Sequence, residues 1–303
     1  MTSGTTPANP AAATAPAPTR APHGRRALLT LAGLLAVTLA APLWVAITQF
    51  VGLCGLIDSE PSARWAPAVP SGSSLAAGLW LLRILRAHTT RWRTYLALPL
   101  ITTACLTPLL PSEAGGAVFN LSFVALAGWL TLAVLHQQGI PPRQVLSSRR
   151  PRASLDQRFW AWSTSMTGLI GAAWLSVRAG NVLIDHLPGL LPSMTTTQDD
   201  VLGHTKGLLY PLTNFVYTSV LEELVIVGAV TVLARTAGRS LWAVYAFSVG
   251  MRVAVHLYMG VPAIAMAVLG AACLFLYLRY QRLLSLLLAH LYFDTLGFLY
   301  SAP

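Results

Sequence analysis

Two adjacent carboxylates, Glu222 and Glu223, stand inside a long apolar run, "LEELVIVGAV". Two more short motifs follow in later apolar runs. "RVAVH" separates Arg252 from His256 by four residues, and "HLYFD" separates His290 from Asp294 by four. On a helix, residues i and i+4 lie one turn apart on one face, so the members of each pair point the same way. Of the ten acids in the chain, only Glu222, Glu223 and Asp294 lie well inside apolar runs. An acid at the centre of a membrane helix costs roughly 2.5–3.5 kcal/mol on insertion scales. Such residues face a bundle interior or a wet cavity and pair with one another there. One reading is a buried ion-pair network that clamps helices together, although apolar contacts often serve that purpose as well. The other is that three helices bring polar groups to one cavity.

The chemistry open to this set is narrow. A glutamate in a partly dry pocket can act as a general base near neutral pH. Histidines beside it can hold a metal, or donate hydrogen bonds to a developing oxyanion. An aspartate one turn from His290 can orient that ring. Together these groups suit activation of water against a carbonyl, which is peptide hydrolysis. No His-Glu-x-x-His helix is present, so an ordinary zinc protease is excluded. Neither a Ser or Cys nucleophile motif nor the two-Asp arrangement of aspartyl intramembrane proteases occurs.

The elements that must position these residues are membrane helices. The chain has 303 residues, 55% hydrophobic and 10% charged, against about 25% charged in a soluble domain. Only helices or closed barrels span a bilayer, and continuous apolar runs exclude alternating barrel strands. The expected fold class is therefore all-α, a polytopic integral membrane protein. Nine spans are predicted, at roughly 27–53, 74–90, 94–111, 117–136, 159–184, 208–233, 240–258, 261–278 and 283–300. Eight result if the second, with Arg83 and Arg86 near its end, does not cross. Residues 1–26, beginning in an Ala, Pro and Thr-rich stretch, are expected to be a disordered cytoplasmic tail. Residues 27–200 form N-terminal transmembrane helices, and 201–303 the catalytic helical core.

The net charge of +10 does not point to nucleic acid, because arginines cluster at the ends of apolar runs. With the N-terminus in the cytoplasm, every Arg and Lys falls on the inner side except Arg64 and Lys206 in outer loops and Arg178 and Arg252 within spans. The bacterial plasma membrane is the expected location. Cys54, Cys105 and Cys273 have no paired spacing and read as small core residues. Two further readings of the buried charges are a proton-coupled carrier and a catalytically inactive membrane scaffold. Repeated halves and matching broken helices, the marks of many carriers, are not evident.

The three motifs, in this order, resemble the CPBP intramembrane proteases, also called the CAAX protease and bacteriocin-processing, or Abi, family. The family pattern is Glu-Glu-x-x-x-Arg, then Phe-x-x-x-His, then His-x-x-x-Asn or Asp. Here it reads "EELVIV" from Glu222, "RVAVH" to His256 and "HLYFD" from His290. The resemblance covers about residues 205 to 300. It implies a membrane endopeptidase, of metalloprotease type, acting on membrane-associated peptides or proteins in the lipid bilayer. Glu222 would then be the water-activating base and Glu223 its support. His256 and His290 would shape the water and oxyanion sites, with Asp294 assisting. Glu222, His256 and His290 would suffice to bind one divalent metal such as zinc; the same groups could instead hold water without one. Val227 stands where the motif has arginine, and Arg252 where it has phenylalanine. Arg252 is expected to replace the lost guanidinium from the neighbouring helix by pairing with Glu223. Substrate and oligomeric state are not encoded in these motifs.

Overall fold

The computed structural model describes residues 21–56, 67–88, 91–110, 112–146, 154–186 and 207–301. The expected tail, up to residue 20, lies outside them. So do most of the basic loop after residue 146, and Arg64 and Lys206 in the loops expected outside. The described residues are almost wholly helical and form a polytopic membrane protein. In chain order the helices are α1 (Ala21–Leu53), α2 (Ala68–His88), α3 (Arg91–Leu106), α4 (Glu113–Gln137), the short α5 (Pro142–Leu146) and α6 (Leu155–His186). Then come α7 (Leu209–Ser219), α8 (Val230–Thr236), α9 (Leu241–Val255), α10 (Met266–Tyr280) and α11 (Leu283–Ser301). Helix α1 thus begins within the segment assigned to the tail.

Each expected span corresponds to helix, but not all are long enough to cross. Seven described helical segments have the length and apolarity of a crossing. Among them is Ala68–Ala87, in the weakest of the expected spans. The shortfalls are α3, with 16 residues, and α9, with 15. At 1.5 Å per residue α9 is about 22 Å long, against a hydrocarbon core of about 30 Å.

Local sequence explains the boundaries that matter for the site. Ser112 caps α4, its side chain accepting a hydrogen bond from the Gly115 N–H at 3.0 Å. Ser240 caps α9 in the same way through the Ala243 N–H at 3.2 Å. Each satisfies a backbone donor that the first helical turn leaves unpaired. Helix α9 stops at Val255, and the chain turns through two short 3₁₀ stretches, Leu257–Met259 and Val261–Ala265, before α10. Gly260 joins them with φ 68° and ψ −131°, a conformation hostile to residues with a Cβ. That bend ends the helix beside His256 and sends α10 back along α9.

The helix of residues 209–236 is regular only at its ends. Between α7 and α8, Val220–Ala229 is π-helical, with the Val230 N–H reaching the Val225 carbonyl five residues back. More residues per turn means a smaller rotation per residue, so consecutive side chains come closer to one face. Glu222 and Glu223 both lie in this segment, and both are buried. From α9, the Ser248 hydroxyl donates to the Ile226 carbonyl at 3.0 Å, satisfying an acceptor within the widened turn. Such π segments cluster at functional sites.

Substitution of Gly260 by alanine is expected to destabilise the protein by about 1–3 kcal/mol, the cost of a Cβ in so sparsely populated a region of backbone. A lowered thermal unfolding midpoint in detergent is the measurement.

Candidate active site

Six side chains from the π segment, α9, α11 and the turn after α9 form one cluster. At its centre is Arg252, the largest fully buried side chain, with no solvent exposure. Its Nη2 lies 2.5 Å from Glu223 Oε1, and its Nη1 3.1 Å from Glu222 Oε2. The guanidinium therefore bridges the two adjacent carboxylates, and the cross-helix pair expected from Val227 and Arg252 is present. Val227 itself is fully buried in apolar packing.

The two histidines extend the cluster. His290 Nδ1 lies 2.9 Å from Glu223 Oε1, and its Nε2 3.5 Å from Asp294 Oδ2 one turn along α11. His256 Nδ1 lies 2.8 Å from the Arg252 carbonyl. A carbonyl only accepts, so this nitrogen carries the hydrogen, and in the neutral ring Nε2 is left as an acceptor. That Nε2 is 3.7 Å from Glu222 Oε1.

The two glutamates occupy different positions. Glu222, His256, His290 and Asp294 line a cavity of about 410 Å³, whereas Glu223 and Arg252 lie behind its wall with no exposure. Glu222 is thus available to a bound molecule, and Glu223 is a holding group. The rest of the wall is largely apolar and draws on α1, α4, α6, α7 and α10 as well as α11. Trp44 and Val45 on α1 belong to it and are 37% and 45% exposed, so the cavity reaches the outer face of the bundle.

Some contributors carry no charge and were not singled out by the sequence motifs. Cys273 on α10, read as a core residue, also places its Sγ 3.6 Å from Glu223 Oε1. Gly270, one turn before, lets α10 approach α9: a Cβ there would lie 3.3 Å from Arg252 Cδ and 3.4 Å from the Val249 Cα. Asn120 and Asn214 line the cavity from α4 and α7. A lone glycine or asparagine in an apolar run gives too weak a pattern to find from one sequence.

A metal held by Glu222, His256 and His290 does not fit this arrangement. The guanidinium already occupies the cation position between the carboxylates. His290 Nδ1 is engaged with Glu223, and its Nε2 faces Asp294. Among the described residues, no three His, Cys, Asp or Glu side chains gather as metal ligands would.

Residues 204–296 match the family described as type II CAAX prenyl endopeptidase Rce1-like. That segment holds all six clustered residues, and the match agrees with the resemblance to CPBP proteases carried by the three motifs. No curated protein and no solved structure matches the chain. The family match supports a CAAX-type membrane protease.

Removal of one partner from a buried ion pair strands a charge and costs about 3–5 kcal/mol. Arg252→Met is accordingly expected to lower the unfolding midpoint strongly, and a second change, Glu223→Gln, to recover part of the loss. Chemical denaturation of the three variants in detergent measures both. Gly270→Val, which drives a branched side chain toward Arg252 and α9, is expected to lower stability too.

Proposed function

We propose that this protein is an intramembrane endopeptidase in which Glu222 activates a water molecule against a peptide carbonyl. The observation that carries the reading is the facing pair, Glu222 Oε1 and His256 Nε2, 3.7 Å apart on the cavity wall. Both atoms are acceptors in the arrangement described above. A water between them donates one hydrogen to each, which leaves its lone pairs turned toward the cavity. Positioning of this kind is the usual requirement for general-base catalysis.

The reaction then follows. The water oxygen bonds to the carbonyl carbon while Glu222 takes its proton. Negative charge gathers on the former carbonyl oxygen, and His290 is the donor that meets it, its Nε2–H turning from Asp294, 3.5 Å away, to the oxyanion. Collapse breaks the C–N bond as Glu222 passes its proton to the leaving amine. Glu223 does not touch the substrate. It is held by Arg252 and His290 and keeps both in place, so Glu222 faces the cavity in a single orientation. Asp294 orients His290 from the other side.

Loss of the motif arginine at Val227 is the feature that would make this an inactive scaffold. With Arg252 paired to both carboxylates, that loss leaves neither glutamate without a cationic partner. Membrane-associated peptides or proteins are the substrates in this reading, and prenylated tails are one class of them. The protein would sit in the bacterial plasma membrane with its N-terminus in the cytoplasm, as the arginine distribution favours. Nucleic acid has no part in it.

Glu222→Gln, His256→Ala and His290→Ala are each expected to abolish cleavage while the protein still inserts and folds. N-terminal peptide profiling of membranes from cells expressing equal levels of wild type and Glu222→Gln is the test. New peptide ends found only with the wild type support hydrolysis and name substrates. Identical ends in wild-type and Glu222→Gln membranes would count against it.

A further inference from the structure

The cavity wall contains a second polar feature, remote from the charged cluster and outside the segment matched by the endopeptidase family. Asn120 on α4 is 5% exposed, and its Nδ2 has no hydrogen-bond partner. It lines the same cavity as Glu222. A buried amide with an unmet hydrogen bond costs about 1–3 kcal/mol, and in a membrane helix a leucine would pack there without that cost. Asn214 on α7 lines the same cavity.

The packing of α4 on α7 and the π segment sets the two asparagines level. A Cβ on Gly116 would meet the Tyr210 ring at 2.6 Å, and one on Gly128 would lie 3.9 Å from Leu224 and 4.0 Å from Val220. The Phe123 and Tyr217 rings are 5.8 Å apart between these points. The helices therefore run in the same direction with a constant register, and that register puts Asn120 opposite Asn214. From Asn214 to Glu222 is two helical turns, about 12 Å. An extended peptide covers that distance in roughly three to four residues.

An extended peptide in this cavity meets mostly apolar side chains, Leu39, Leu169 and Phe293 among them. Its backbone N–H and C=O groups have no bulk water to bond at this depth and need partners on the wall. We infer that Asn120, with Asn214, is that partner: a substrate-binding residue that hydrogen-bonds the main chain of a peptide lying along α7, about three to four residues from the bond presented to Glu222. Main-chain recognition makes this subsite tolerant of side-chain identity while requiring an unfolded, extended segment. The inference rests on the hydrolytic reading of the charged cluster, and it gives the N-terminal half of the chain a part in choosing what is cut.

The test uses the full-length protein in detergent and a synthetic peptide spanning a cleavage end found by the profiling above. Asn120→Leu keeps the branched shape of the side chain and removes the amide. It is expected to raise KM about tenfold, the weight of one net hydrogen bond, with kcat within about twofold and the unfolding midpoint unchanged or higher. Asn214→Leu, on the neighbouring helix, is expected to behave alike and serves if the first variant folds poorly. An unchanged KM in both overturns the inference, as does a drop in midpoint without a change in KM, which marks a structural amide. Cleavage by the wild type with KM insensitive to both asparagines defeats this inference alone. Absence of any wild-type cleavage defeats the hydrolytic reading and, with it, this one.

Discussion

The site depends on one buried cation. Glu222 and Glu223 are neighbours in sequence, both withdrawn from water, and like charges at such range repel strongly when little solvent screens them. Arg252 resolves this by placing one nitrogen against each carboxylate. Because guanidinium is planar and forked, it can hold two acceptors at a set separation, which the point charge of a lysine cannot do. His290 adds a second contact to Glu223, and the Arg252 carbonyl in turn orients His256. One residue thus pairs with both glutamates and anchors the ring that faces Glu222.

Helix geometry follows from this requirement. Two consecutive side chains of an ordinary α-helix diverge by about 100° around its axis. The π-helical stretch brings them together, and Ser248 satisfies a carbonyl within it. Helix α9 ends at Val255 for a related reason. His256 has to leave helical geometry for its ring to turn back over the Arg252 carbonyl and toward Glu222, and Gly260 provides the bend that follows. The absence of a side chain at Gly270 allows α10 to close over the arginine stem.

The charged cluster lies wholly within the segment that matches the endopeptidase family, yet the cavity it faces does not. Helices α1, α4 and α6 supply much of the wall. The charged side chains and most of the cavity wall they face thus come from different parts of the chain.

Fold class and the charged residues of the cluster were legible in the sequence because both are local properties. Apolar runs of near-bilayer length demand helices, since no other open structure satisfies its backbone in lipid. Charges inside such runs are too costly to be incidental, and four-residue spacing alone places Arg252 with His256 and His290 with Asp294 on common faces. Even the pairing of Arg252 with Glu223 could be anticipated, because two buried charges of opposite sign on adjacent helices have few other partners. What only the tertiary structure supplies is the physical difference between the two glutamates, one meeting the cavity and the other sealed behind it. Residues 222 and 223 are chemically identical, and their difference arises from what packs on each from α9 and α11, contacts that no short pattern encodes. The same holds for the register that sets Asn120 level with Asn214 and for Gly270 against Arg252. These relations join residues far apart in sequence, are set by helix packing, and exist only once the helices have assembled.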